Sequence, residues 1–237
     1  MKSSPVIVLV HGALTDASVW NLVSIYLQKA GYSIVAPAMP LRGLQSDAAY
    51  LSAFLDTINA PIVLVGHSYG GSIISHPEVA RKNLEALVFV AAFAQDAGET
   101  TGELNGRWPG SKLTEDNVIV RPYPGGQDLY LKPNRFAEVY AGDLSAEQVA
   151  VLAAAQRPIN PGALGESFVD SPTWRSVPAW FLISLEDNSL PAEAQKAMAK
   201  RAEAITAEVR ASHASPLSQP EAVAKLIIGA ARKRTES

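Results

Sequence analysis

Residues 61–72, PIVLVGHSYGGS, restrict the fold more than any other stretch of the chain. An unbroken apolar run rich in Val and Ile reads as a strand buried on both faces, and such strands belong to parallel sheets covered by helices. The run ends among glycines, with Gly66 and Gly70 placed two residues either side of Ser68. Lacking Cβ atoms there, a strand can turn sharply into a helix and leave the serine side chain at the carboxyl edge of the sheet.

The rest of the chain repeats the alternation that such a sheet needs. Candidate strands at 6–10, 33–36, 62–66, 86–92, 179–184 and 207–210 are separated by amphipathic stretches. This pattern predicts an α/β fold with a mostly parallel sheet of about six strands flanked by helices. Trp20, Val23, Leu27 and Ala30 share one helical face, and Val223, Leu226, Ile227 and Ala230 share another. Ser218 and Glu221 are spaced as a capping box for that last helix, whose basic end ARKR, 231–234, reads as a solvated final turn.

Residues 94–172 break the alternation and are too many for an unstructured loop. The expected organisation is a core of 1–93 and 173–237, with 94–172 a cap inserted after the strand that follows the serine's helix. Within the cap, a hairpin turning at Pro124, Gly125 and Gly126 is expected, and Ser145 with Gln148 is spaced to cap a helix.

Composition narrows the function. At 237 residues and 48% hydrophobic content the chain suits one well-filled core, and a net charge of −3 offers no field to collect phosphates, so nucleic acid is not an expected partner. The absence of cysteine excludes disulfides and thiolate metal sites. In MKSSPVIVLVHG the apolar run covers only Val6 to Val10, too short for a signal-peptide core or a membrane span, so the chain reads as a soluble, cytoplasmic protein.

A serine hydroxyl is a weak nucleophile and needs a base, an acid to orient that base, and donors for an oxyanion. The same glycine turn would also suit phosphate binding, but no lysine precedes the serine and no G-x-G-x-x-G is present. Of the four histidines, His11 and His67 sit in tight glycine motifs where imidazoles fix local structure, and His76 lies on the helix after the serine as a surface or packing residue. His213, between the last strand and the last helix, is the expected base. Asp187, immediately after a strand, is the expected acid, with Glu186 its alternative. The oxyanion donors are expected at the amides of Ala13 and Tyr69.

In order and spacing, LVHGALTDASVW, VLVGHSYGGS, LEDNSLPAEAQ and SHASPLSQPEAVAKLI resemble the α/β-hydrolase superfamily, and within it the small bacterial esterase-like branch related to plant methylesterases and hydroxynitrile lyases. The resemblance spans essentially the whole chain and implies Ser68 as nucleophile, Asp187 as acid, His213 as base, Ala13 and Tyr69 as oxyanion donors, and no metal or organic cofactor. The expected reaction is hydrolysis of carboxylic esters, lactones included, through an acyl-enzyme, with a small-molecule ester as the expected partner; a pocket lined by the aromatics named below would favour small to medium apolar esters. The alternatives are a C–C lyase with the same triad and a non-catalytic receptor for a small molecule. The lyases of this branch carry Thr where this chain has Gly12 and Lys where it has Ala214. Phe93, Trp108, Phe136, Tyr140 and Phe168 are candidates either for the pocket wall or for ordinary core packing.

Overall fold

The computed structural model describes residues 4–233, so Met1–Ser3 and Arg234 of the basic final turn lie outside the described residues. From the start, β1 (Val6–Val10) passes through a short turn at Ala17–Trp20 into α1 (Asn21–Lys29), followed by β2 (Ser33–Val35) and α2 (Leu44–Leu55). Next, β3 (Ile62–His67) runs into α3 (Tyr69–Ser75) and β4 (Leu84–Val90). The stretch beyond β4 holds α4 (Thr101–Gly106), the strands β5 (Val118–Tyr123) and β6 (Gly126–Leu131), and the helices α5 (Phe136–Val139) and α6 (Ala146–Ala154). The chain closes with β7 (Ala179–Ser184), α7 (Ala192–Arg201), β8 (Ile205–Val209), α8 (Ser215–Ser218) and α9 (Pro220–Lys233).

Six strands pair in parallel in the order β2-β1-β3-β4-β7-β8, while β5 and β6 form a separate antiparallel hairpin. Alternate residues of one strand feed opposite faces, as a period of two requires. Ile62 and Leu64 enter the core beneath α2, α3 and α7, whereas Val63 and Val65 enter the core shared with α1 and α9. Across β4 and β7, Phe89 stacks on Phe181 with ring centroids 5.0 Å apart. Each fully buried large side chain of this kind contributes about 1.5–3 kcal/mol.

This order places the switch of chain direction between β1 and β3, whose carboxyl ends are in register at Val10 and Gly66. Open α/β sheets bind ligands in the crevice beyond the carboxyl ends at such a point. The loop carrying Ala13 and the turn carrying Ser68 leave from these two strands.

Several boundaries differ from the sequence reading. β4 begins at Leu84 and stops at Val90, because Ala91 takes a left-handed φ of 44°. β8 begins at Ile205, opposite Trp180, two residues earlier than expected. Ala30 is exposed as the C-cap of α1 and does not join the buried face of Trp20, Val23 and Leu27. Ser218 closes α8 with its Oγ buried and unpartnered, so it forms no capping box with Glu221; α9 starts instead at Pro220, whose missing N–H costs nothing at a first helical position. Ser145 and Gln148 do form the reciprocal cap of α6, and the hairpin turns at Pro124 and Gly125. Among the described residues no helix is long and apolar enough to cross a membrane.

Candidate active site

Ser68 stands between β3 and α3 with φ 54° and ψ −126°, a left-handed conformation that a non-glycine residue adopts only where its surroundings force it. The forcing contact is close packing of backbone on backbone. A Cβ added at Gly66 would lie 2.7 Å from the Gly70 carbonyl oxygen, and one at Gly70 would lie 2.6 Å from the Val10 carbonyl oxygen. Only glycine lets β1, β3 and α3 meet this tightly.

The three sequence-predicted residues form one line. Ser68 Oγ donates to His213 Nε2 at 2.7 Å, and His213 Nδ1 donates to Asp187 Oδ2 at 2.6 Å. They are 7%, 2% and 6% exposed respectively, so water competes little for these bonds. Glu186, the alternative acid, is exposed, and its backbone amide bonds Ala211.

Asp187 is itself held on four sides. Its Oδ1 accepts the amides of Ser189 and Leu190, each at 2.8 Å, and its Oδ2 also accepts Gln195 Nε2 at 2.9 Å. Gln195 Oε1 in turn accepts the Ser184 amide at 3.0 Å, tying the carboxylate to the end of β7. In the sequence Gln195 carries no signal, being one more polar residue on a helix.

Ala13 and Tyr69 line the same cavity as Ser68. As the first residue of α3, Tyr69 has an amide without an intrahelical acceptor. The neighbouring Leu14 amide is already given to the Arg157 carbonyl at 2.9 Å, so it does not compete with that of Ala13.

The other histidines hold loops. Met39 N–H donates to His11 Nε2 at 2.9 Å, leaving Nδ1 to donate to the Gly12 carbonyl at 2.8 Å. His67 Nε2 donates to the carbonyl of His213 at 2.9 Å, while its buried Nδ1 has no partner. Burial lowers the pKa of His11, and burial together with the neighbouring His213 lowers that of His67 well below the ordinary value. His76 is buried against the edge of the Phe168 ring and is also depressed by burial.

A second buried polar link stands behind Tyr69. Its hydroxyl donates to Asp47 Oδ2 at 3.0 Å, and Asp47 Oδ1 accepts the Arg42 amide at 3.2 Å. Burial raises the Asp47 pKa, and burial with the Asp47 carboxylate raises that of the Tyr69 phenol.

The cavity over Ser68 measures about 640 Å³. Phe93 and Trp108 line it, together with Leu113, Val118, Leu129 and Ile159. Phe136 and Tyr140 instead fill a core cluster below it, and Phe168 packs on His76. Some of its polar linings are engaged: Asn105 Nδ2 donates to Ser111 Oγ at 3.0 Å, and Thr101 Oγ1 donates to Gln95 Oε1 at 3.2 Å, while Thr114 and Glu115 also line the cavity. No lysine, arginine or histidine is among the residues lining the cavity.

A parallel sheet with a serine on a strained strand-to-helix turn, a histidine after the last strand and an aspartate after the one before defines an α/β-hydrolase architecture. The chain belongs to the alpha/beta hydrolase family, whose model matches residues 7–226. It is 24% identical over 247 residues to "Putative methylesterase 11, chloroplastic" of Arabidopsis thaliana, spanning 95% of this chain but only 63% of that protein. It is 26% identical to "Pyrethroid hydrolase" of Sphingobium wenxiniae, covering 93% of this chain and 85% of that one. Among solved structures, polyneuridine aldehyde esterase superposes with a TM-score of 0.78 at 23% identity, over 96% of this chain and 99% of its own.

Proposed function

We propose that this chain is a serine hydrolase that cleaves carboxylic esters of small to medium apolar substrates through an acyl-enzyme. The observation that carries the reading is the continuous hydrogen-bonded line from Ser68 through His213 to Asp187, with Ser68 open to an apolar cavity. The names of the relatives, methylesterase and pyrethroid hydrolase, agree with ester cleavage.

In this reaction Ser68 Oγ attacks the ester carbonyl while His213 Nε2 takes its proton. The carbonyl oxygen, now an anion, accepts the amides of Ala13 and Tyr69. Asp187 stabilises the imidazolium and keeps the neutral ring in the tautomer with its proton on Nδ1. His213 then protonates the departing alcohol oxygen as the tetrahedral adduct collapses. Water, deprotonated by the same nitrogen, repeats the addition and releases the acid with Ser68 restored.

Residues 94–172 act as a cap in this reading, since Trp108, Leu113, Val118, Leu129 and Ile159 supply most of the apolar wall. A wall without cations favours neutral esters over substrates carrying a second, ionised carboxylate, which would lose hydration without gaining a partner. No cofactor is needed for any step. Treatment with a fluorophosphonate tests the proposal without knowledge of the natural substrate: Ser68 Oγ displaces fluoride, its proton passing to His213, and intact-protein mass should show one phosphonyl group. No adduct on the wild-type protein, or one that persists in Ser68→Ala, contradicts the assignment.

A further inference from the structure

Asp187 and His213 come from loops that follow different strands, yet their ring-to-carboxylate contact is only 2.6 Å long. Both loops are bonded to the same short stretch of chain, residues 138–143, which runs from the end of α5 toward α6. On the aspartate side, Asn188 Nδ2 donates to the Glu138 carbonyl at 2.8 Å, and Ser189 Oγ donates to the Val139 carbonyl at 2.8 Å. On the histidine side, the Ala214 amide donates to the Tyr140 carbonyl at 3.1 Å. The Ser212 amide donates to Asp143 Oδ2 at 3.1 Å, and Ser212 Oγ donates to Asp143 Oδ1. His213 is therefore flanked on both chain neighbours by bonds to one segment.

The segment reaches further. The buried Tyr140 ring meets the His213 ring at 4.8 Å and 80°, and the Tyr140 hydroxyl lies 3.3 Å from Thr15 Oγ1, two residues beyond Ala13. Three of the loops that assemble the site thus share one support, and that support is continuous with the chain that walls the cavity.

We propose that residues 138–143 form a clamp that fixes the distance between Asp187 and His213, with Asp143 a positioning residue for His213 through Ser212. The inference rests on the serine-hydrolase reading above. Asp143 touches neither the cavity nor the three reacting side chains, and its exposed carboxylate contributes little to the core. Its effect is on the placement of the loop that carries the base. Reaction rates are steeply sensitive to such placement, with displacements near 1 Å costing up to about a hundredfold.

The test is the second-order rate of phosphonylation by a fluorophosphonate, measured beside the melting temperature for wild type, Ser68→Ala, Asp143→Ala, Asp143→Glu and Ser212→Ala. Asp143→Ala should label about tenfold or more slowly while losing only a few degrees in melting temperature, and Asp143→Glu, which restores an acceptor, should recover most of the rate. Ser212→Ala removes the hydroxyl's bond to the carboxylate without touching Asp143, and should slow labelling in the same direction. A wild-type rate in both Asp143→Ala and Ser212→Ala, with labelling still abolished by Ser68→Ala, overturns the clamp and leaves the hydrolase reading standing. A wild-type protein that does not label overturns both.

Discussion

Asp187 Oδ2 accepts two hydrogen bonds at once, from His213 Nδ1 at 2.6 Å and from Gln195 Nε2 at 2.9 Å. The glutamine holds the carboxylate to the end of β7, so the aspartate presents one fixed oxygen to the imidazole. Asp187→Asn should therefore lower kcat by about 10⁴, because an amide in this position permits the wrong histidine tautomer. Glu186→Gln should stay within about twofold of wild type, since that side chain is exposed and outside the line. Steady-state kinetics on the two variants decide between the acids.

The elements that hold the candidate site were legible in the sequence, and the reason is local. A buried strand, glycines at both flanks and a serine between them can be recognised within ten residues, and Ser68 sits where that pattern puts it. Asp187 and His213 follow from strand ends. What the sequence hides are contacts made across the fold. Gln195 supports Asp187 from the next helix, and Tyr140 meets Thr15 across 125 residues of chain. The five candidate aromatics divided along the same line: Phe93 and Trp108 reached the cavity, while Phe136, Tyr140 and Phe168 went to packing, a choice set by tertiary contacts and not by residue type. Ser218 had the spacing of a cap but was drawn into the preceding turn.

Trp108 closes part of the cavity over Ser68. Replacing it with alanine should lengthen the space open to an acyl chain, and each methylene newly buried adds about 0.8 kcal/mol, roughly fourfold in kcat/KM. The ratio of p-nitrophenyl octanoate to butyrate hydrolysis should rise several-fold in Trp108→Ala. An unchanged ratio would place the chain-length limit elsewhere.

Gly70→Ala should be among the most damaging small substitutions in the protein. Its Cβ would lie 2.6 Å from the Val10 carbonyl oxygen and 2.9 Å from that of His11, backbone atoms that cannot move without displacing β1. A loss of about 1–3 kcal/mol is expected by chemical denaturation, with activity reduced further because Ser68 is two residues away. Wild-type stability in this variant would mean that the packing around the turn is looser than these distances imply.

Acidification should destabilise the fold between neutral pH and the mid-fives. His67, His11 and His76 all have folded pKa values lowered by burial, His67 the most clearly. Their unfolded counterparts take up protons near pH 6.5 while the folded rings stay neutral, so stability is full above that value and is lost as pH falls through it. Asp47, raised by burial, acts with the opposite sign at lower pH, and Glu99, held at about 2 against burial by hydrogen bonds from Arg201 and Arg107, adds a further loss below about 4.5. Melting temperatures at pH 7.5, 6.5 and 5.5 should fall in that order, and His67→Gln, which keeps a donor for the His213 carbonyl, should flatten the slope. A melting temperature that rises on acidification would contradict the neutral buried imidazoles.

The role of Ser68 is tested most directly by turnover of p-nitrophenyl butyrate by the wild-type protein and by Ser68→Ala, purified in parallel and shown to melt at the same temperature. The wild type should release p-nitrophenol steadily, and kcat should fall by about 10⁴ or more in the variant. Equal rates from the two proteins would show that Ser68 is not the nucleophile.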